Sequence, residues 1–314
     1  MSTDPIVDPA HAIPAASALR RSRFRWRIVA FVALVIAILA GTARYAGENG
    51  LSGDSIARVV IDGTIATDPT RLRILDALAK DKDVKAVIVA INSPGGTTAG
   101  GEELYDSLTK LRASKPVVAV IKELGASAAY MTAIAADRIY SRRLSIVGSI
   151  GVLFQTYNAG KLLDTIGIGS DKVASGPLKA EPDISHPMTP EVRASLQSLV
   201  DDSFSWFVDV VAERRGLTRA QVLPLADGRI LTGNQGIEAK LIDEVGGEAE
   251  AIDWLVKTKG IKADLPVVAW YPNDQPGLMN VGKWLGGEAR SALGLPADGP
   301  IALDGLVSLW QVGR

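Results

Sequence analysis

Apolar and amphipathic segments alternate through the middle of the chain. Val84–Ile91 is a nearly continuous apolar run, which is typical of a strand buried on both faces of a parallel sheet. Shorter runs of the same kind predict strands at Ala57–Ile61 and Pro116–Ile121, and a further strand within residues 139–154. The helical patterns that separate these runs cover residues 70–79, 101–111 and 125–137. Because strands and helices alternate, the pattern predicts an α/β fold with parallel strands and crossover helices.

The second half of the chain is predicted to be more helical. Thr189 followed by Pro190 is a strong helix start, an N-cap residue with proline at the first helical position. Apolar residues at steps of three and four then run from Val192 to Val211, which predicts one long helix with a single apolar face. Two shorter helices are predicted as well, over residues 219–225 and 249–257. The chain after residue 265 has no pattern that predicts an element.

A basic cluster precedes an uncharged apolar segment near the N-terminus. Five arginines lie within residues 20–27, and the 16 residues that follow, Ile28–Ala43, carry no charge. This length is near the lower limit for a membrane span. The segment after Ala43 matches a signal-peptide cleavage site poorly, so an uncleaved signal anchor is favoured over a cleaved signal peptide. The positive-inside rule then predicts a single-pass protein of the inner (cytoplasmic) membrane, with its N-terminus cytoplasmic and its main domain extracytoplasmic or periplasmic.

These patterns divide the chain into five parts. They are a cytoplasmic tail (1–27), a transmembrane anchor (28–45), a linker (46–56), the main domain (57–265) and a C-terminal tail (266–314) for which the sequence predicts no structure.

The composition excludes several classes of function. Lys and Arg number 34 against 35 Asp and Glu, and the net charge of −1 provides no electrostatic footprint for nucleic acid. There is no cysteine, which excludes a disulfide scaffold, a thiol nucleophile and a zinc–thiolate site. The two histidines, His11 and His186, are too few for a polyhistidine metal centre. Neither a metal nor a cofactor is therefore expected.

Two predicted strand ends carry candidate chemistry, because ligands of open α/β sheets bind beyond the carboxyl ends of the strands. The first is the turn 93–96, Ser-Pro-Gly-Gly, where backbone N–H groups can approach a ligand closely. The second is the segment 125–128, where Ser127 lies among very small residues at a strand-to-helix turn. Considered alone, Ser127 is more simply explained as a helix cap. A serine nucleophile also needs a base, for which His186 and Lys179 are the candidates, although an isolated lysine is usually a solvated surface residue.

Several short motifs occur together and in a fixed order along the chain. They are Ser93-Pro94-Gly95-Gly96, Gly125-Ala126-Ser127-Ala128-Ala129-Tyr130, Gly148-Ser149-Ile150-Gly151-Val152, Ser175-Gly176-Pro177-Leu178-Lys179, Pro187-Met188-Thr189, Ala226-Asp227-Gly228-Arg229, Thr232-Gly233 and Leu241-Ile242-Asp243-Glu244-Val245-Gly246-Gly247. With the preceding anchor, they resemble the short bacterial signal peptide peptidases of peptidase family S49. These are Ser-Lys membrane proteases with a Clp/crotonase-like fold.

The resemblance implies a role for five residues. Ser127 matches the nucleophile of the family, and Lys179 matches its general base. Ser149 would orient the lysine, and the backbone N–H groups of Gly96 and Ala128 would form the oxyanion hole. The chain departs from the family pattern in two places. The family usually has glycine soon after the lysine, where residues 180–183 of this chain are Ala-Glu-Pro-Asp. The family also often has glycine directly after the nucleophile, where this chain has Ala128.

The function implied is that of a membrane-anchored serine endopeptidase that hydrolyses remnant signal peptides after their release from preproteins. A related Ser-Lys protease that cuts stomatin-like or other membrane proteins is the alternative. A crotonase-like acyl-CoA enzyme would share the fold, but its substrate is cytoplasmic, and a non-enzymatic assembly factor would not need both Ser127 and Lys179. Since family members of this type form ring-like homo-oligomers, the resemblance also implies a homo-oligomer in which the lysine can come from a neighbouring subunit.

Overall fold

The computed structural model describes residues 26–38, 53–272 and 306–309 and divides the chain into two compact units, Met1–Gly53 and Asp54–Arg314. In the first unit, helix α1 covers residues 26–38. No helix in the described ranges is both long and apolar enough to cross a membrane. The predicted anchor, 28–45, continues past residue 38 into a part of the chain that lies outside the described residues, as do the tail up to residue 25 and most of the linker.

The second unit alternates strands and helices. Its strands are β1 (Ser55–Asp62), β2 (Val84–Ser93), β3 (Gly95–Thr97), β4 (Val117–Ala126), β5 (Arg138–Ser141), β6 (Ile146–Gly148), β7 (Leu153–Phe154), β8 (Ile230–Thr232), β9 (Glu244–Val245), β10 (Val267–Tyr271) and β11 (Leu306–Leu309). Its helices are α2 (Pro69–Lys80), α3 (Thr98–Ser114), α4 (Ala128–Ala133), α5 (Gly160–Thr165), α6 (Pro190–Arg215), α7 (Arg219–Val222), α8 (Gly233–Glu238) and α9 (Glu248–Lys259), and a short 3-10 turn follows α7 at Leu223–Leu225.

Most of the strands form one sheet with the order β10-β1-β2-β4-β5-β9, in which every neighbouring pair is parallel. β6 lies beside the last residues of β4 as a parallel partner and pairs antiparallel with β8. The three remaining strands form a separate sheet in the order β3-β11-β7. The predicted α/β fold with parallel strands and crossover helices is therefore confirmed for the main sheet.

Both faces of the main sheet are buried, as the continuous apolar runs predict. Alternate residues of β2, such as Val87 and Val89, pack with the apolar sides of α2, α3, α4 and α6. The residues between them, such as Ala86 and Ile88, pack on the opposite face with Leu255 of α9. The central strands thus form a rigid base, from whose carboxyl edge the candidate residues project.

Helix α6 begins as predicted, since the Thr189 side chain accepts a hydrogen bond from the backbone N–H of Val192 and Pro190 occupies the first turn. The predicted long helix is confirmed, and its apolar face is only partly buried. Phe207 and Val211 are buried in the C-terminal half, whereas Leu199 is 54% exposed. The N-terminal half of α6 is therefore available to line a surface cavity.

Two other predictions need correction. Helix α4 ends at Ala133 and not near Asp137, because the chain tightens into i→i+3 bonds and Asp137 N–H then donates to Val117 O, which directs the chain into β5. In addition, ordered strands occur beyond residue 265, the predicted domain boundary. β10 pairs with β1 in the main sheet and β11 pairs with β3 and β7.

Candidate active site

The sheet brings the ends of three strands to one edge, as expected for neighbouring parallel strands. β2 and β4 are paired up to their carboxyl ends, and β6 pairs with the last residues of β4. Ala126 is the partner of Gly148 in this register, so the residues that follow them, Ser127 and Ser149, lie side by side. The Ser127 N–H donates to Gly148 O at 2.8 Å and fixes this arrangement. Two of the predicted site residues are therefore brought together.

Ser127 has an unusual backbone conformation at the turn from β4 to α4. Its φ of 59° and ψ of −122° lie in a region that residues with a side chain rarely adopt. Such a conformation costs about 1–3 kcal/mol and is typically retained at functional sites. Ser127 occupies the N-cap position, but its hydroxyl makes no capping bond to the helix, and the residue is 1% exposed. The interpretation of Ser127 as a simple helix cap is therefore wrong.

Very small residues surround this turn and allow two helices to approach it closely. A Cβ atom added to Gly101 of α3 would lie 3.0 Å from the Ala128 Cβ and 2.9 Å from the Met131 Sδ. Helices α3 and α4 are thus in close contact immediately behind Ser127. Close helix packing thus accounts for the small side chain of Ala128, and it also helps to hold Ser127 in place.

Ser149 is held by the loop that precedes β8. Its N–H donates to Arg229 O at 2.8 Å, and the side chain of Arg229 forms two bonds to Asp227, of 2.8 and 2.6 Å. The Arg229 guanidinium lowers the pKa of the Asp227 carboxyl to about 2. Ser149 is 7% exposed and has a φ of 51°. The Ala-Asp-Gly-Arg motif thus holds the loop that carries Ser149 by backbone hydrogen bonds. The sequence of the motif alone does not indicate this function.

Gly96 lies in β3, which runs alongside Ile65. Ile65 N–H donates to Gly95 O at 2.8 Å, and Thr97 N–H donates to Ile65 O at 2.9 Å. Backbone groups of successive residues in a strand point to opposite edges, so the N–H and C=O of Gly96 face away from Ile65. On that side Gly96 pairs with Ser308 of β11. Only glycine fits at this position, because an added Cβ atom would lie 1.7 Å from Ile65 O.

Lys179 differs from the other candidates because it is exposed. It lies in the long connection between α5 and α6, and within the described ranges its side chain makes no hydrogen bond or ion pair. The next residue, Ala180, has a φ of 62°, which is favourable for glycine and unfavourable for alanine. The family's usual glycine near this position therefore has a conformational explanation. Lys179 is thus exposed, whereas Ser127, on which it is expected to act, is buried.

A cluster of charged side chains holds the segment just after Lys179. The Glu181 carboxylate, whose side chain is 7% exposed, accepts a hydrogen bond from Lys172, and this bond lowers the pKa of Glu181. Lys172 also lies 3.7 Å from Asp183, and His186 Nε2 lies 3.5 Å from Glu181. His186 thus lies beside this cluster.

Two cavities lie against helix α6 in the described part of the chain, and neither was predicted. One of about 280 Å³ lies between α3, α4 and α6 and is lined by Glu102, Met131, Asp202 and Trp206 among others. The other, of about 340 Å³, lies between β7 and the N-terminal half of α6. The sequence offered no signal for the second cavity, because β7 has only two residues and its partner β11 lies in the C-terminal segment.

Comparison with known proteins identifies the family. The family model described as "Peptidase family S49" matches residues 109–262, which include Ser127, Ser149 and Lys179. A protein of Synechocystis sp. named "Putative protease slr0021" is 36% identical over 67% of this chain and 76% of its own length. The chain belongs to peptidase family S49.

Other similar proteins are named as proteases or peptidases. The Enterococcus faecium protein named "Putative signal peptide peptidase SppA" is 31% identical over 80% of this chain and 76% of its own length. "Protease 4" of Haemophilus influenzae is 29% identical over 72% of this chain and 39% of its own length. Among solved structures, a mutant ClpP1 from Listeria monocytogenes is similar over 60% of this chain and 91% of its own, with a TM-score of 0.39 and 17% identity. As a member of S49, the protein is a peptidase.

Proposed function

We propose that the protein is a serine endopeptidase whose nucleophile is Ser127. The observation that carries this proposal is the strained, buried, non-capping Ser127 next to Ser149 at the carboxyl edge of the sheet. In the proposed reaction the Ser127 Oγ gives its proton to the base and attacks the scissile carbonyl. The C–N bond breaks, the amine leaves with that proton, and water hydrolyses the remaining acyl-enzyme to the free acid and Ser127. The N–H groups of Gly96 and Ala128 stabilise the oxyanion that develops during both steps.

Lys179 is the proposed general base, with Ser149 orienting its amino group. A base must reach the hydroxyl proton within hydrogen-bonding distance. Because Lys179 is exposed and Ser127 is buried, we propose that the lysine acts on Ser127 of a neighbouring subunit in a homo-oligomer. Large exposed apolar side chains on the same connection support a contact between subunits there. They are Ile166, Ile168, Val173, Leu178 and Ile184, and Leu162 of the preceding helix α5 is exposed as well.

The proposed substrates are remnant signal peptides, and the proposed location is the outer side of the inner membrane. The support is the Arg-rich stretch followed by the uncharged segment Ile28–Ala43, which fits a single-pass anchor with a cytoplasmic N-terminus. Apolar peptides leaving the bilayer would then be close to the site. Cleavage of stomatin-like membrane proteins is the alternative, and assays with a signal peptide and a stomatin tail distinguish the two substrates.

The test of the dyad compares four variants of the full chain in detergent. Ser127→Ala removes the atom that forms the acyl-enzyme, so kcat/KM for an apolar peptide is expected to fall by several orders of magnitude. Lys179→Ala is expected to be about as damaging, because members of a catalytic unit act together. Lys179→Arg is not expected to rescue activity, since a guanidinium does not accept the proton.

His186→Ala is the matched control, because His186 is the other candidate base and lies on the same connection. It is expected to keep most of the activity. If His186→Ala abolished cleavage while Lys179→Ala remained active, the Ser-Lys proposal would be wrong.

A further inference from the structure

Helix α2 carries an arginine on its buried face. Arg71, Leu75 and Leu78 recur at helical spacing on the side of α2 that packs into the core, and Arg71 is only 6% exposed. A buried guanidinium is costly unless it is paired and hydrogen-bonded, so arginine is rare at such a position. The proposed reaction does not use Arg71, and its partners therefore indicate what it does.

The partners of Arg71 lie in the segment 65–68 and in helix α3. The Arg71 Nη2 donates a hydrogen bond to Ala66 O at 2.7 Å and lies 3.7 Å from Glu103 Oε1. The same Glu103 oxygen accepts the N–H of Asp68 at 3.1 Å. Arg71 and Glu103 thus fix a carbonyl and an N–H group of the segment, which ties it to both α2 and α3.

Tyr271 of β10 holds the far end of the same segment. Its hydroxyl donates a hydrogen bond to Asp68 Oδ2 at 2.6 Å. The other carboxylate oxygen, Asp68 Oδ1, accepts the N–H groups of Thr70 and Arg71 as the N-cap of α2. Because β10 pairs with β1, Tyr271 ties the segment 65–68 to the main sheet as well.

The segment held in this way supports β3. Ile65 N–H donates to Gly95 O, and Thr97 N–H donates to Ile65 O, so Ile65 fixes the residues on both sides of Gly96. Ile65 is joined directly to Ala66, whose carbonyl accepts the bond from the buried guanidinium. A shift of Ala66 would therefore move Ile65 and, with it, the backbone of β3.

We propose that Arg71 and Tyr271 are positioning residues of the peptidase reaction, which hold the N–H of Gly96 where the oxyanion develops. The proposal rests on the proposed function, since it assumes that Gly96 belongs to the oxyanion hole. An oxyanion donor acts only at about 2.7–3.1 Å from the developing charge, so a small displacement of β3 weakens the stabilisation of the transition state. An interaction that is made only in the transition state changes kcat and leaves KM nearly unchanged.

The kinetic test uses Arg71→Met in the full chain, because methionine is unbranched and flexible but donates no hydrogen bond. Loss of an oxyanion donor lowers kcat about 10²–10³-fold, and for a displaced donor we expect a fall of about 10–100-fold with KM within about twofold. Lys115→Met is the matched control. The Lys115 Nζ also donates to backbone carbonyls, Asp81 O at 2.6 Å and Val84 O at 3.0 Å, but at the opposite edge of the sheet, where β2 begins. It is expected to lose stability and to keep the wild-type kcat.

Tyr271→Phe is a second variant, which removes a single hydroxyl and keeps the protein testable if Arg71→Met does not fold. A smaller fall in kcat, of about 3–10-fold, is expected, because the bond from Arg71 to Ala66 remains. Thermal melting shows which variants are folded at the assay temperature. A folded variant with the wild-type kcat would overturn the role of the residue that it changes. An equal loss of kcat in Lys115→Met would overturn both roles.

Hydrogen exchange measured by mass spectrometry separates this proposal from the catalytic one. In the Ser127→Ala background, Arg71→Met should speed exchange of residues 95–97, and Lys115→Met should not. Unchanged exchange in Arg71→Met would overturn the support of β3 by Arg71. Faster exchange with an unchanged kcat would instead refute the assignment of Gly96 to the oxyanion hole. Cleavage that persists in Ser127→Ala would refute the proposed nucleophile, whatever the exchange shows.

Discussion

Gly96→Ala is the substitution for which the structure gives the sharpest expectation. A Cβ atom at this position would lie 1.7 Å from Ile65 O and 2.5 Å from Ile65 C, both of which are backbone atoms. No side-chain rotation can relieve such an overlap, so β3 must move away from Ile65. The movement breaks the bonds Ile65 N–H to Gly95 O and Thr97 N–H to Ile65 O.

The size of the effect follows from these two bonds. Counting about 1–3 kcal/mol for each of the two broken bonds, the free energy of unfolding should fall by about 2–6 kcal/mol. For a domain of this size the melting temperature then falls by roughly 5–20 °C. If Gly96 N–H stabilises the oxyanion, its displacement should also lower kcat by about 10²–10³-fold.

The assay is thermal melting together with peptide cleavage at a temperature well below both transitions. Gly169→Ala is the matched control, because no atom lies within 4 Å of the added Cβ and the backbone there is unstrained. It should leave both measurements near wild type. If Gly96→Ala melted and cleaved like the wild-type chain, the assigned position of β3 would be refuted. If Gly96→Ala were less stable but kept the full kcat at low temperature, only the assignment of Gly96 to the oxyanion hole would be refuted.

Two further predictions concern the connection that carries Lys179. Ala180→Gly should raise the free energy of unfolding by up to about 1 kcal/mol, as measured by denaturant titration. The left-handed conformation costs alanine about 1–2 kcal/mol, and the greater loss of chain entropy on folding costs glycine about 0.5–1 kcal/mol. The bond from Lys172 lowers the pKa of Glu181 in the folded chain. The stabilisation of the folded connection by this bond is therefore complete above the ordinary Glu pKa of about 4.3, and it is lost as the pH falls through the lowered pKa. Hydrogen-exchange protection of residues 170–186 should therefore fall in acid. The Lys172→Gln variant should show the reduced protection already at pH 7. Unchanged protection in that variant would contradict this explanation.

The sequence predicted the main sheet and its rigid core well, because the signals there are local. β2 is a continuous apolar run, and the start of α6 is marked by Thr189 and Pro190. The proximity of Ser127 and Ser149 could not be read from periodicity. It depends on the register of β6 against β4, and β6 has only three residues. The resemblance to the S49 family supplied that pair where local patterns could not.

The sequence failed where structure depends on distant partners. β11 has four residues and is ordered by β3 and β7, which lie far away along the chain. Short strands of this kind have no periodicity long enough to detect. Motif matching also named Lys179 but could not show that it is exposed, since exposure depends on how the whole connection packs. The strain at Ser127 was equally hidden, because serine is an ordinary residue at a helix start.

The two residues of the proposed dyad lie in opposite kinds of environment, since Ser127 is buried and Lys179 is exposed. Ser127 has a costly backbone conformation, which the close packing of α3 on α4 and the bond to Gly148 maintain. Lys179 lies on an exposed connection that is held by ion pairs. The lysine could meet the serine by a movement of this connection or by contact between subunits. A movement alone would leave side chains such as Val173 and Ile184 in water, whereas a neighbouring subunit would bury them. The pattern of burial therefore supports the proposed homo-oligomer, in which the lysine of one subunit would complete the site of another.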